Sequence, residues 1–153
     1  MDTELPQRRE RMGADLTRAI GRVTSAGRRN YFAAFALAVV GVLASVAAGI
    51  LAFVEADKTV VGIVALIPAM SAIITGRLKL QERANWHYRR RDALSGLSNA
   101  LLFELPDPPT ADAIAAISRK WSAVDEHFSA EWERQLAFAA PEPAKAVPQP
   151  PAS

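Results

Sequence analysis

The chain passes from an amphipathic, arginine-rich pattern into two purely apolar stretches and back again, and each change of pattern marks an element. Residues 31–54 read "YFAAFALAVVGVLASVAAGILAFV" without a charge. That is more than the roughly 20 apolar residues a helix needs to cross a bilayer. After "EADK" comes "TVVGIVALIPAMSAIITG", residues 59–76, also uncharged and, at about 18 residues, just long enough for a second crossing. A connection this short permits only an antiparallel return. Soluble helices carry a polar face, and neither stretch has one, which argues against two buried helices of a soluble bundle. A cleaved signal peptide fits no better, because its apolar region is only about 7–15 residues long.

On either side the helical period returns. In residues 6–29 Met12, Leu16, Ile20 and Val23 recur at spacings of four, four and three among arginines, which predicts an amphipathic helix. Two placements stand open for it: flat on an anionic leaflet, or packed on the rest of the protein. Beyond the second stretch a helix is expected over residues 78–105, continuous with the span. Its apolar side is Leu80, Ala84, Tyr88, Leu94, Leu97 and Leu101, and "PDPP" (residues 106–109) ends it, since proline cannot continue the hydrogen-bond ladder. Thr110 is a natural N-cap for a last helix reaching about Phe138. Its stripe of Ile114, Ile117, Trp121, Val124, Phe128 and Trp132 is close to a heptad seam. The tail is proline-rich and nearly devoid of large apolar residues, the composition of an extended or disordered segment. The organisation is therefore a basic leader (1–29), a transmembrane hairpin (30–77, with spans 31–54 and 59–76), a cytoplasmic helical pair (78–138) and a tail (139–153). The fold class is an all-α membrane protein.

Composition alone conceals this. Of the 153 residues 50% are hydrophobic and 22% charged, which is ordinary for a soluble protein, and the net charge is only +2. The placement of the charges is what matters. Arg11, Arg18, Arg22, Arg28 and Arg29 precede the first span, and Arg77, Lys79, Arg83 and Arg89–Arg91 follow the second. The loop between holds Glu55 and Asp57 against Lys58. The excess of arginine and lysine marks the cytoplasmic side, so both termini are expected inside a cell membrane and the loop outside. The basic residues are topology determinants with anionic headgroups as neighbours, not a nucleic-acid footprint.

Chemistry-bearing residues are sparse. No cysteine is present, so thiol catalysis and thiolate metal sites are excluded. His87 and His127 lie among aromatics with no second ligand at metal spacing. Ser45 and Ser71 lack an intramembrane base to activate them, and the glycines form no phosphate-binding loop. Neither an enzyme nor a cofactor is indicated. The small residues read better as contacts: Gly41, Ser45 and Gly49 on the first span, Ala65 with Ala69 and Ala72 with Gly76 on the second. Small residues four apart let helices approach closely in lipid. These faces either hold the hairpin together or join subunits. In the second case Ser71 and Thr75 can border a polar lumen, which two helices alone cannot enclose. Below the second span, Trp86 and Tyr88 are expected in a core with Trp121 and Phe128. Arg89–Arg91 would face headgroups or pair with Asp125, Glu126 and Glu131.

An amphipathic leader, two closely linked spans and a following helix bearing "WHYR", Trp86 to Arg89, together resemble the SLATT domains, two-span effector modules associated with nucleotide-signalling bacterial defence. The likeness extends over about residues 8–132 in layout. It implies a self-associating, pore-forming effector of the inner membrane, silent until a separate nucleotide-sensing partner protein triggers it. It also implies a structural or regulatory role for Trp86, Tyr88 and Arg89. A membrane-anchored adaptor or an auxiliary transporter subunit is the alternative on the residues alone.

Overall fold

The computed structural model describes residues 4–136, and these are helical almost throughout. The first helix, α1 (Glu4–Phe53), joins the leader and the first apolar stretch in a single element of 50 residues, about 75 Å long at 1.5 Å per residue. The two had been expected as separate elements. Nothing between them stops a helix: Pro6 stands in the first turn, where its missing N–H costs no bond, and no proline follows until α2. Gly13, Gly21 and Gly27 each weaken a helix interior by up to about 1 kcal/mol, which is too little to break one packed along its length.

The end of α1 is closed by backbone bonds. Glu55 takes a left-handed conformation (φ 57°), and the N–H groups of Glu55 and Ala56 donate to the carbonyls of Ala52 and Leu51 at 3.3 and 3.0 Å. The chain then reverses, and Asp57 caps α2 (Lys58–Leu78) by accepting from the N–H of Thr59 and Val60. Those bonds, the one to the Thr59 N–H foremost, hold the Asp57 carboxyl below its usual range. Pro68 lies inside α2, leaving the Val64 carbonyl without its helical donor.

A single residue separates α2 from α3 (Leu80–Asn99): Lys79, left-handed at φ 47°. The continuity expected here is therefore interrupted at one position. A π-helical turn, Ala100–Glu104, ends α3, and α4 (Ala111–Gln135) begins at Thr110, whose hydroxyl accepts from the Ala113 N–H at 3.2 Å. Residues 137–138 of the expected last helix and the tail 139–153 lie outside the described residues.

Packing divides the molecule into two halves. α2 runs back along the second half of α1, while α3 lies along its first half and α4 closes over both. Leu16, Leu94 and Leu101, all fully buried, centre one core with Val23, Leu97 and Ile117. Trp86, Phe128 and Leu136 centre a second, between α3 and α4. Most of the leader's apolar stripe goes into this packing, with Leu16 and Val23 buried and Met12 and Ile20 partly covered, so the leader is packed on the rest of the protein. Basic side chains tie the ends together. Arg9 donates to the carbonyls of Leu101 and Leu102 freed at the π turn. Lys79 and Arg83 donate to the Gln135 and Leu136 carbonyls at the end of α4, where positive charge also complements the helix dipole.

Candidate functional site

The upper half of the molecule, α2 with the second half of α1, is apolar and bare. Of the most apolar 18-residue stretch in each long helical run, 11% and 6% of residues are buried. Phe35, Val42, Leu43, Ile63, Leu66 and Ile73 all stand exposed. A core helix of a soluble protein would be mostly covered. Water disfavours such a surface at roughly 25 cal/mol per Å², whereas lipid accepts it. Two helices of this length and composition are able to cross a membrane.

Within this half the small residues are not equivalent. Gly41 is buried, and a Cβ there would meet the Ser71 Cβ at 3.6 Å and the Pro68 Cα at 3.8 Å. Ala44, one turn on, is also buried. Gly41 and Ala44 thus form the close contact between α1 and α2. A Cβ on Gly49 or Gly76 would meet nothing within 4 Å, and Ala65, Ala69 and Ala72 are exposed. These residues face outward.

An open groove of about 450 Å³ runs along one side of the pair, with Gly41, Ser45, Ser71, Ala72, Thr75 and Gly76 in its walls. The Ser45 hydroxyl donates to the Gly41 carbonyl at 3.0 Å and the Thr75 hydroxyl to the Ser71 carbonyl at 2.8 Å. Both are satisfied by their own helices and need no water. Ser71 is 8% exposed and is turned toward Gly41.

The lower half carries the "WHYR" element, and here charges and aromatics interlock. The Trp86 indole N–H donates to the Phe128 carbonyl at 3.1 Å. Its ring meets Phe128 and Trp132 edge-on, with centroids 5.8 and 4.8 Å away. Arg90 lies over Trp86 while donating to Asp125 at 2.9 Å, and Arg83 lies over Trp132. Arg89 donates to Glu131 at 2.6 Å across a pair that is open at one end only: the arginine side chain is 58% exposed and the glutamate 9%. Arg91 covers Tyr88 and bonds Asp92. The three arginines are thus engaged within the protein, two of them with the acids of α4; Glu126 points to solvent.

Two placements differ from the sequence reading. Trp121 does not stack on Trp86. It lies half-covered against the Leu16–Leu94 core, beside Asp15 and Arg22 of α1, because α4 crosses from α3 toward the leader over its length. Trp132 takes the place beside Trp86. Tyr88 faces Gly27 of α1 instead of Phe128. Of the seam, Ile114, Ile117 and Phe128 are buried, and Trp121, Val124 and Trp132 are partly covered.

Sequence reasoning missed the close approach at Gly27 and the burial of Glu131, which it named only as a partner for Arg89–Arg91. At Gly27 a Cβ would come within 3.0 Å of the His87 Cβ, so α1 and α3 touch there nearly backbone to backbone. Glu131 is buried although charged. It continues the stripe of Val124 and Phe128 at a spacing of three, a signal hidden by assuming the stripe to be apolar. His87, pressed into the same contact, has its pKa lowered from 6.5, first by burial and then by the charges of Arg90, Arg29 and Arg83.

The chain matches no protein-family model, and no curated protein or solved structure is detectably similar to it. The likeness to SLATT domains therefore rests on layout and on the residues quoted above.

Proposed function

We propose that this chain is an integral membrane effector of bacterial defence: a two-span hairpin of the inner membrane with both termini in the cytoplasm. It self-associates and permeabilises the membrane when a partner sensor engages its cytoplasmic half. One observation carries the reading: α1 is unbroken from Glu4 to Phe53. Its first half is gripped by α3 and α4 and its second half meets only α2. Any displacement imposed on the cytoplasmic module is transmitted to the membrane by a rigid rod. Arg28, Arg29 and Arg77 lie where the spans meet the inner headgroups, and their charge sets the orientation. Gly49 and Gly76 leave smooth outward faces through which neighbouring hairpins can approach. No residue is assigned a catalytic part.

The test is dye influx into cells at matched membrane abundance, with crosslinking to count subunits. Wild type should oligomerise and admit dye. Gly49→Ile with Gly76→Ile should insert equally, because neither side chain meets another part of the chain, yet remain monomeric and harmless. Single cysteines at Asp57 and Ser118 should label from opposite sides of the membrane. A wild type that assembles in the membrane and passes nothing would leave an adaptor that recruits a partner without a pore. Labelling of both cysteines from outside would overturn the topology.

A further inference from the structure

A second surface lies at the far end of the rod. Two openings of about 450 and 520 Å³ run along the seam between α1 and α4, sharing Asp15 and Trp121 in their walls. Together they line α1 from Leu5 to Arg22, a trench about 25 Å long at the helical rise. Its α1 wall presents Arg8, Arg11, Arg18 and Arg22 against one acid, Asp15, which is bonded to Arg18. Arg8 is held only loosely, 3.9 Å from Glu4. Arg11 and Arg22 are exposed and have no ion pair or hydrogen bond among the described residues. The floor is apolar, with Met12 and Ile114, and the partly exposed Trp121 stands where the two openings meet.

The bilayer reaches only the near end of the trench: Arg22 stands nine positions, about 14 Å, before the first span, and the rest lies farther away. Arg11 precedes the first span by twenty positions, about 30 Å along a continuous helix. The headgroup layer is only several Å thick on each side, and screening removes attraction beyond about 10 Å. A solvated basic stripe beside an apolar floor suits an amphipathic segment with acidic residues along one edge. We infer that this trench is the docking site for an acidic amphipathic helix of a partner protein. The inference rests on the effector reading, in which such a partner is the trigger, and it places that contact on the rod that enters the membrane.

The probe is a dye-labelled synthetic peptide with glutamates on one helical face and leucines on the other, offered to the full chain in phosphatidylcholine nanodiscs. It should bind with an affinity that falls as salt rises, and it should change an emission that Trp121→Phe removes. Arg11→Glu with Arg22→Glu should weaken it by about tenfold or more, while Lys120→Ala, exposed and outside the trench, should not. Both trench arginines are solvent-exposed, and Arg11→Gln with Arg22→Gln provides a milder pair that should weaken binding in the same direction. Equal binding by the trench variants, or by a lysine-for-glutamate or scrambled peptide, would overturn the inference. So would loss of peptide binding in discs of anionic lipid, because the stripe would then belong to the leaflet. Failure of wild type to admit dye sinks the effector reading without touching the peptide result, so the two can fail separately.

Discussion

α1 presents two kinds of surface, and its halves obey opposite rules. Below Tyr31 it hides its large side chains: Leu16 is fully buried and Val23 nearly so. Above it, the large side chains are displayed and small ones are hidden, with Gly41 and Ala44 buried while Val42 and Leu43 stand 64% and 63% exposed. In water, burying apolar area drives helices together. In lipid that drive vanishes, and close contact between small residues replaces it. One helix thus carries a core made of leucine and a contact made of glycine, without a break between them.

The sharpest way to break the comparison is to delete a large side chain from each half. Trp86→Ala removes a buried ring, its bond to Phe128 and the platform beneath Arg90, and truncations of this kind cost about 3–5 kcal/mol. The half built from α3, α4 and the start of α1 should lose its near-ultraviolet circular dichroism in detergent while the helical content of the rest is kept. Leu43→Ala should shift the same melt by no more than about 0.5 kcal/mol, as an exposed change does. Comparable losses from the two would remove the distinction between the halves.

Next comes the lopsided ion pair. Arg89→Ala leaves the buried Glu131 without its partner, a loss of about 1–3 kcal/mol, the cost of a buried acceptor left unsatisfied. Glu131→Gln instead leaves Arg89 free to turn to water and should cost clearly less. The combined variant should recover part of the Arg89→Ala loss. Chemical denaturation of the four proteins closes the cycle, and strict additivity would show that the pair is uncoupled.

The glycines give a more local contrast. Gly27→Leu forces α1 away from His87, and overpacking of this kind costs about 1–3 kcal/mol. Gly49→Leu, facing outward, should leave the stability of a single chain unchanged. Hydrogen exchange along α3 should rise in the first variant only.

The smallest effect is a pH dependence at the same contact. His87 titrates lower in the folded protein than its ordinary 6.5, so the folded state binds fewer protons than the unfolded one. Its contribution is fully present above pH 6.5 and is lost as pH falls from there through the folded pKa. Wild type should lose stability over that interval faster than His87→Gln, and parallel curves would show that the ring is indifferent to its surroundings.

The sequence by itself determined where the uncharged, span-length stretches begin and end, that the helical run through α3 and its π turn stops before Pro106, where Thr110 starts α4, and that the elements of the described residues are helices. Those properties are local: a run of uncharged residues, a missing N–H or a capping hydroxyl acts on its own few neighbours. Tertiary structure alone decided that Gly41 meets Ser71 while Gly49 meets nothing, although the two occupy matching positions in one ladder. It decided that Trp132 and not Trp121 lies beside Trp86, since heptad spacing fixes a face but not which neighbour that face meets along a crossing helix. It decided that Glu131 is inside, because the arginine that makes its burial tolerable lies 42 positions away in the chain. And it decided that the leader and the first apolar stretch are a single rod, because a change from an amphipathic to a purely apolar pattern alters which side chains are hidden without altering the backbone hydrogen bonds that make the helix.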